Sequence, residues 1–98
     1  MSSFQNLINS KIPVLIDFSA DWCQPCKALK PILKQVAKAT EGKARIIKID
    51  VDNNPDIAQK LEIRGVPTMI IYKEGKQLWR QSGVIQASQI VGILESFM

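Results

Sequence analysis

Cys23 and Cys26 stand three positions apart in the stretch DWCQPCK, and the chain has neither a third cysteine nor a histidine. Two thiols at that spacing can serve as a staple, as half of a metal clip, or as a reactive pair. A staple closing so short a loop constrains the unfolded chain little, so it contributes less than one closing a long loop. Structural zinc wants four ligands; two cysteines supply half, and only carboxylates or a second chain could complete the set. A reactive pair needs one thiol that is nucleophilic near neutral pH and a second within bonding distance. Asp17 is the other residue of chemical interest, because it lies inside the apolar run VLIDFSA. Burial opposes its charged form and should raise its pKa toward neutral. A carboxyl so tuned can take up and return a proton near a thiol, directly or through water.

The elements that position these residues follow from patterning. At 98 residues one domain is expected, spanning 1–98, and 46% hydrophobic with 22% charged residues is the composition of an ordinary globular chain. Phe4, Leu7 and Ile8 are spaced for a helix over 2–10. PVLIDFSA predicts a buried strand. From Cys23 to about Thr40, Ala28, Leu29, Ile32, Leu33, Val36 and Ala37 form an apolar stripe opposite Lys27, Lys30, Lys34 and Lys38. Pro31 should kink this helix and Gly42 end it. ARIIKIDV predicts a second strand, and NPDIAQKL a short helix with Asn54 as N-cap and Pro55 in its first turn. PTMIIYK and QLWRQSG, joined by EGK, predict a hairpin. The tail predicts a helix turning Ile90, Ile93, Leu94 and Phe97 inward, with Gln86 or Ser88 at its start. Apolar runs are too short to span a membrane. The first ten residues lack the pattern of a secretory signal, which points to a reducing, cytoplasmic setting. The formal charge of +4 is accounted for by a lysine helix face without the clustering that nucleic-acid binding needs.

VLIDFSADWCQPCK, IIKIDVDNNP, IRGVPT and the glycine of QSGV, in this order, resemble the thioredoxin family, and the similarity runs from Phe4 to the C-terminus. Cys-x-x-Cys alone is a modest signal. Preceded by Trp22, with an acid six residues upstream and Val-Pro-Thr about forty residues downstream, it is specific. The resemblance implies Cys23 as nucleophile and Cys26 as resolving thiol, Asp17 as the family's buried acid with Lys48 as its partner, and Pro67 as a cis-proline beside the sulfurs. It implies an apolar docking rim of Trp22, Gly65, Val66, Gly83 and Val84, with Gln24 and Pro25 between the thiols. Gln24 stands where the family usually has glycine, and no residues correspond to the family's leading strand.

Cys23 falls at a strand-to-helix junction, facing unpaired amides and the positive end of the helix dipole, both of which favour thiolate. Pro25 suits the first helical turn and stiffens the loop that keeps Cys26 close. Asp17 and Lys48 as a purely structural ion pair is the competing reading; buried pairs stabilise poorly against apolar replacements, which favours the proton role. The expected fold is α/β: a four-stranded mixed sheet with helices on both faces, Arg45–Val51 at an exposed edge, monomeric. The expected activity is reduction of protein disulfides with no bound cofactor, recharged by an NADPH-dependent thioredoxin reductase. An oxidase or isomerase on the same fold, or a binding subunit using the rim around Trp22, are the alternatives.

Overall fold

Strand β1, Val14–Ser19, is buried at every residue, and a strand without an exposed face must be covered on both sides. The computed structural model, which describes residues 2–98, supplies that cover. Along the chain run α1 (Ser2–Ile8), β1, α2 (Gln24–Ala39), β2 (Arg45–Asp50), α3 (Pro55–Lys60), β3 (Thr68–Lys73), β4 (Lys76–Ser82) and α4 (Ala87–Glu95). The four strands form one sheet in the order β2-β1-β3-β4. β1 runs parallel to β2 and antiparallel to β3, and β3 and β4 make the hairpin. The mixed sheet is the expected one, and β2 is at its edge.

Side-chain alternation divides the core. Leu15, Met69 and Ile71 pack with Leu29, Val36, Ile90 and Leu94 under α2 and α4. Val14, Ile16, Phe18, Ile70 and Tyr72 point the other way, against Phe4 and Ile8 of α1 and partly buried Ile57 and Leu61. Phe4 meets Tyr72 edge to face with centroids 5.8 Å apart, a preferred arrangement for aromatic quadrupoles. The same alternation puts Asp17, two residues from Leu15, on the α2 side of the sheet.

Several boundaries differ from the sequence expectation. Thr40, not Gly42, closes α2: its amide and its Oγ1 both donate to the Val36 carbonyl, the latter at 2.8 Å. Gly42 lies in the turn beyond, at φ +80°. The helix runs through Pro31, which is exposed. Asn54 occupies the N-cap position of α3 without capping it; its Nδ2 donates to the Asp50 carbonyl at 2.9 Å. Short amide side chains that can bond nearby backbone often do so instead of capping. Gln86 holds the corresponding place before α4, also without a side-chain cap bond. α1 stops at Ile8, two residues early, and the carbonyls of Ile8 and Ser10 accept from the amides of Gly75 and Glu74 in the hairpin turn, at 3.0 and 2.8 Å. That turn places Glu74 and Gly75 both at positive φ, as a tight two-residue hairpin requires. Among the described residues, no helix is long and apolar enough to cross a membrane.

Candidate functional site

The loop after β1 delivers Cys23 to the N-cap position of α2, in extended conformation, and Pro25 to its first turn. An N-cap side chain ordinarily satisfies a free amide of the first turn. Here the sulfur does so: the Cys26 amide donates to Cys23 Sγ at 3.2 Å. Cys26 lies one turn on, with 5.3 Å between the two Cα atoms, and the sulfurs are joined in a disulfide. Both residues are buried, packed with Ala20 and against Val51 and Val66. Negative charge on Cys23 would thus meet an amide already aimed at it, at the positive end of a sixteen-residue helix.

On one flank lies the segment before β3. The Val66–Pro67 bond is cis, and the Val66 carbonyl is 3.6 Å from Cys23 Sγ, a contact to which a reduced thiol can donate. Hydrogen bonds fix this segment to β4. Thr68 Oγ1 donates to the Gly65 carbonyl at 2.6 Å and lies 2.8 Å from Ser82 Oγ. The Gly83 amide donates to the Pro67 carbonyl at 2.9 Å. Gly83 adopts φ +94°, which a residue with a Cβ tolerates poorly, so the rim turns there on a glycine. Upstream, Arg80 donates through Nη1 and Nη2 to the carbonyls of Leu61 and Glu62, at 2.7 and 2.8 Å, where α3 ends. Trp22 and Val84 are exposed, at 69% and 42%. Gln24, Pro25 and Gly65 are exposed too, and Val66 and Gly83 half-buried. The Trp22 indole is held in place by Nε1 donating to Asp52 Oδ2 at 2.9 Å.

The other flank is a hollow of about 130 Å³ lined by Asp17, Ser19, Cys26, Lys27, Lys30 and Lys48, among others. Asp17 is 4% exposed and its Oδ1 has no hydrogen-bond partner, nor has the hydroxyl of buried Ser19. Burial pushes the Asp17 carboxyl up to about 6, and the charge of Lys48 opposes the rise. No salt bridge joins Asp17 to Lys48, so the competing reading of a structural ion pair gains no support. Asp17 and Lys48 are register partners across β1 and β2, but among the described residues the salt bridge formed is Arg64–Glu62. Lys48 is exposed, and its charge acts on Asp17 without a salt bridge.

The structure thus brings Cys26 and Asp17 to one hollow, bonds Cys23 to Cys26, and sets Cys23 against the Val66 carbonyl just before Pro67. Four participants escaped sequence reading. Arg80 and Ser82 lie in the stretch read as the second hairpin strand, Ser19 near the end of the first strand, and Asp52 just after the second. Only Asp52 left a signal, as part of a dense polar turn after a strand. Among the described residues, no group of three or more histidine, cysteine or acidic residues could hold a metal.

Comparison with known proteins bears on this geometry. The Thioredoxin family model matches residues 1–96. A thioredoxin-like protein of Synechocystis sp. is 40% identical over 92 residues, covering 94% of this chain and 88% of its own. Thioredoxin of Rickettsia felis is 38% identical over 91 residues, covering 92% and 87%. Among solved structures, a mutant thioredoxin from Halobacterium salinarum superposes with a TM-score of 0.88 at 32% identity, over 99% of this chain and 84% of that one. With the family model spanning nearly every residue and the cysteines, buried acid and cis-proline arranged as described, this chain belongs to the thioredoxin family.

Proposed function

We propose that this protein is a single-domain thiol-disulfide oxidoreductase that reduces disulfides in target proteins. The Cys23 thiolate attacks one target sulfur; the target S–S bond breaks, its other sulfur leaves as thiolate, and a mixed disulfide forms. Cys26 then gives its proton to Asp17 and attacks Cys23 Sγ, releasing the second target sulfur, which takes up a proton. Two electrons have passed to the target, and the Cys23–Cys26 disulfide remains. The observation that carries this reading is the Cys26 amide aimed at Cys23 Sγ at 3.2 Å, because it makes Cys23 the sulfur best able to bear negative charge.

The remaining residues support these steps. Pro67 and Val66 offer an extended target segment a backbone edge beside Cys23, in the manner of strand addition. Trp22, Gly65, Gly83 and Val84 form the rim, with Gln24 and Pro25 between the sulfurs. Lys48 tempers the rise in the Asp17 pKa. Family membership supports recharging by an NADPH-dependent thioredoxin reductase, a cytoplasmic role in electron transport and redox homeostasis, and a monomeric working form. The test is to equilibrate the protein with glutathione and to compare Cys23→Ser with Cys26→Ser. A strongly reducing potential, with targets trapped as mixed disulfides by Cys26→Ser alone, is the expected result. An oxidising potential, or equal trapping by both variants, overturns the assignment.

A further inference from the structure

The hollow beside Cys26 does not end there. It adjoins a second of about 220 Å³ between α2 and β2, and the two share Asp17, Lys30 and Lys48 in their walls. The second hollow has an apolar floor of Leu33, Ala37 and Ile46, with Lys34 joining the lysines at its lip. Lys27 and Lys38 extend the row of cations along α2 at both ends, and all of these lysines are exposed. Among the described residues none of them engages a carboxylate in a salt bridge. Lysines on a merely solvated helix face need no groove beneath them. Here they edge a trough that is polar beside the resolving sulfur, where Asp17, Ser19 and Asp21 stand among its walls, and apolar farther along, with the lysines outnumbering the acids.

We propose that this trough docks an acidic segment of the target protein, one that carries an apolar anchor next to its disulfide. The proposal rests on the oxidoreductase reading and adds a partner class to it. Two features favour this occupant: unpaired cations call for carboxylates, and the trough is continuous with the redox centre, so a target engaged at Cys23 also reaches the lysines. From Lys27 to Lys38 the helix rises about 16 Å, the length of roughly five extended residues. A short acidic stretch therefore suffices to lie along Lys30, Lys34 and Lys48 while its anchor rests on Leu33 and Ala37. Charge pairing at such a surface acts mainly on the rate of encounter and on partner choice.

The test uses two synthetic disulfide-bridged peptides that differ only in one flank, either Asp/Glu-rich with a single leucine or Ser/Asn-rich. Reduction by the full chain is followed at low and high salt. At low salt the acidic peptide is expected to show a kcat/KM about tenfold higher, an advantage that fades at about 0.5 M salt. The double variant Lys34→Glu, Lys38→Glu, at exposed positions outside the hollow beside Cys26, should lose that preference and reduce the neutral peptide as the parent does. Equal rates for the two peptides at low salt overturn the proposal, as does a preference that survives in the double variant. A single-stranded oligonucleotide retained at physiological salt, with no preference for the acidic peptide, assigns the trough to nucleic acid instead. Failure to reduce either peptide overturns the oxidoreductase reading itself, and the docking proposal with it.

Discussion

On its Cys26 side the disulfide looks onto an open hollow where Asp17 Oδ1 and the Ser19 hydroxyl are unpaired and lysines line the mouth. On its Cys23 side the loop from Gly65 to Pro67 is bonded to Thr68, Gly83 and, through α3's end, Arg80. The first flank keeps spare hydrogen-bonding capacity and access to solvent, which a group that gains and loses a proton requires. The second is stiff, which a surface that must present a backbone edge requires, since ordering it at each encounter would cost affinity. Two sulfurs of identical chemistry thus face different surroundings.

The largest effect should come from breaking the pair. Cys23→Ser should abolish turnover, whereas Cys26→Ser should keep the first attack and accumulate mixed disulfides, visible by non-reducing electrophoresis. Next is the proton flank. Asp17→Asn should slow the Cys26 step about tenfold, the low side of what a positioned base contributes where solvent also reaches. The parent's rate should fall as pH drops through about 6, because a protonated Asp17 accepts nothing, and the variant should lack that inflection. The stability sign also follows. Folded Asp17 holds its proton up to about 6, whereas its ordinary value is 3.8. Its burial therefore costs nothing below that ordinary value, and the cost grows as pH rises through this window and is complete above it. Asp17→Asn should be more stable at pH 7 by something on the order of 2 kcal/mol, and the gain should vanish near pH 3; denaturant titration at the two pH values measures it.

The stiff flank should answer differently. Arg80→Gln removes two bonds to the end of α3 without touching a sulfur. It should raise KM for a protein target several-fold at nearly constant kcat and cost about 1 kcal/mol of stability. A fall in kcat with KM unchanged would show that the loop's stiffness serves chemistry, and the division between the flanks would fail. The smallest effect belongs to Gln24, which is exposed and adds no charge. Glycine there costs up to about 1 kcal/mol of helix propensity in both redox states, and only the difference moves the potential. Gln24→Gly should shift it by less than about 20 mV, measured against glutathione.

The two flanks were unequally legible in the sequence. The cysteines, the strand acid and the proline announce themselves because each violates a local expectation: thiols three apart, a charge in an apolar run, a proline opening a strand. Strands β1 and β3 were plain from continuous apolar runs. What holds the stiff flank was hidden. Arg80 donates to backbone carbonyls of residues 18 and 19 positions away in the chain, and a carbonyl carries no side-chain identity for a pattern to find. Lys48 was legible only through the family resemblance; register sets it across from Asp17 without a salt bridge, because register fixes where a long stem starts, not where its ammonium ends. Thr40 took the end of α2 from Gly42 through a bond to its own preceding turn, a choice that residue type alone leaves open.

The bonds from Glu74 and Gly75 to the carbonyls of Ser10 and Ile8 have a consequence for local opening. Amides at the tip of an exposed hairpin normally exchange with solvent almost freely, yet these two are sequestered by carbonyls at the end of α1 and just beyond it. A seven-residue helix has little stability of its own, so α1 stays closed through Phe4 and Ile8 in the core and Phe4 against Tyr72. Helix and hairpin tip should therefore open as one cooperative unit, ahead of the central strands. In native-state hydrogen exchange the Glu74 and Gly75 amides should share one opening free energy with the α1 amides, and Phe4→Ala should lower all of them together while leaving the β1 amides protected.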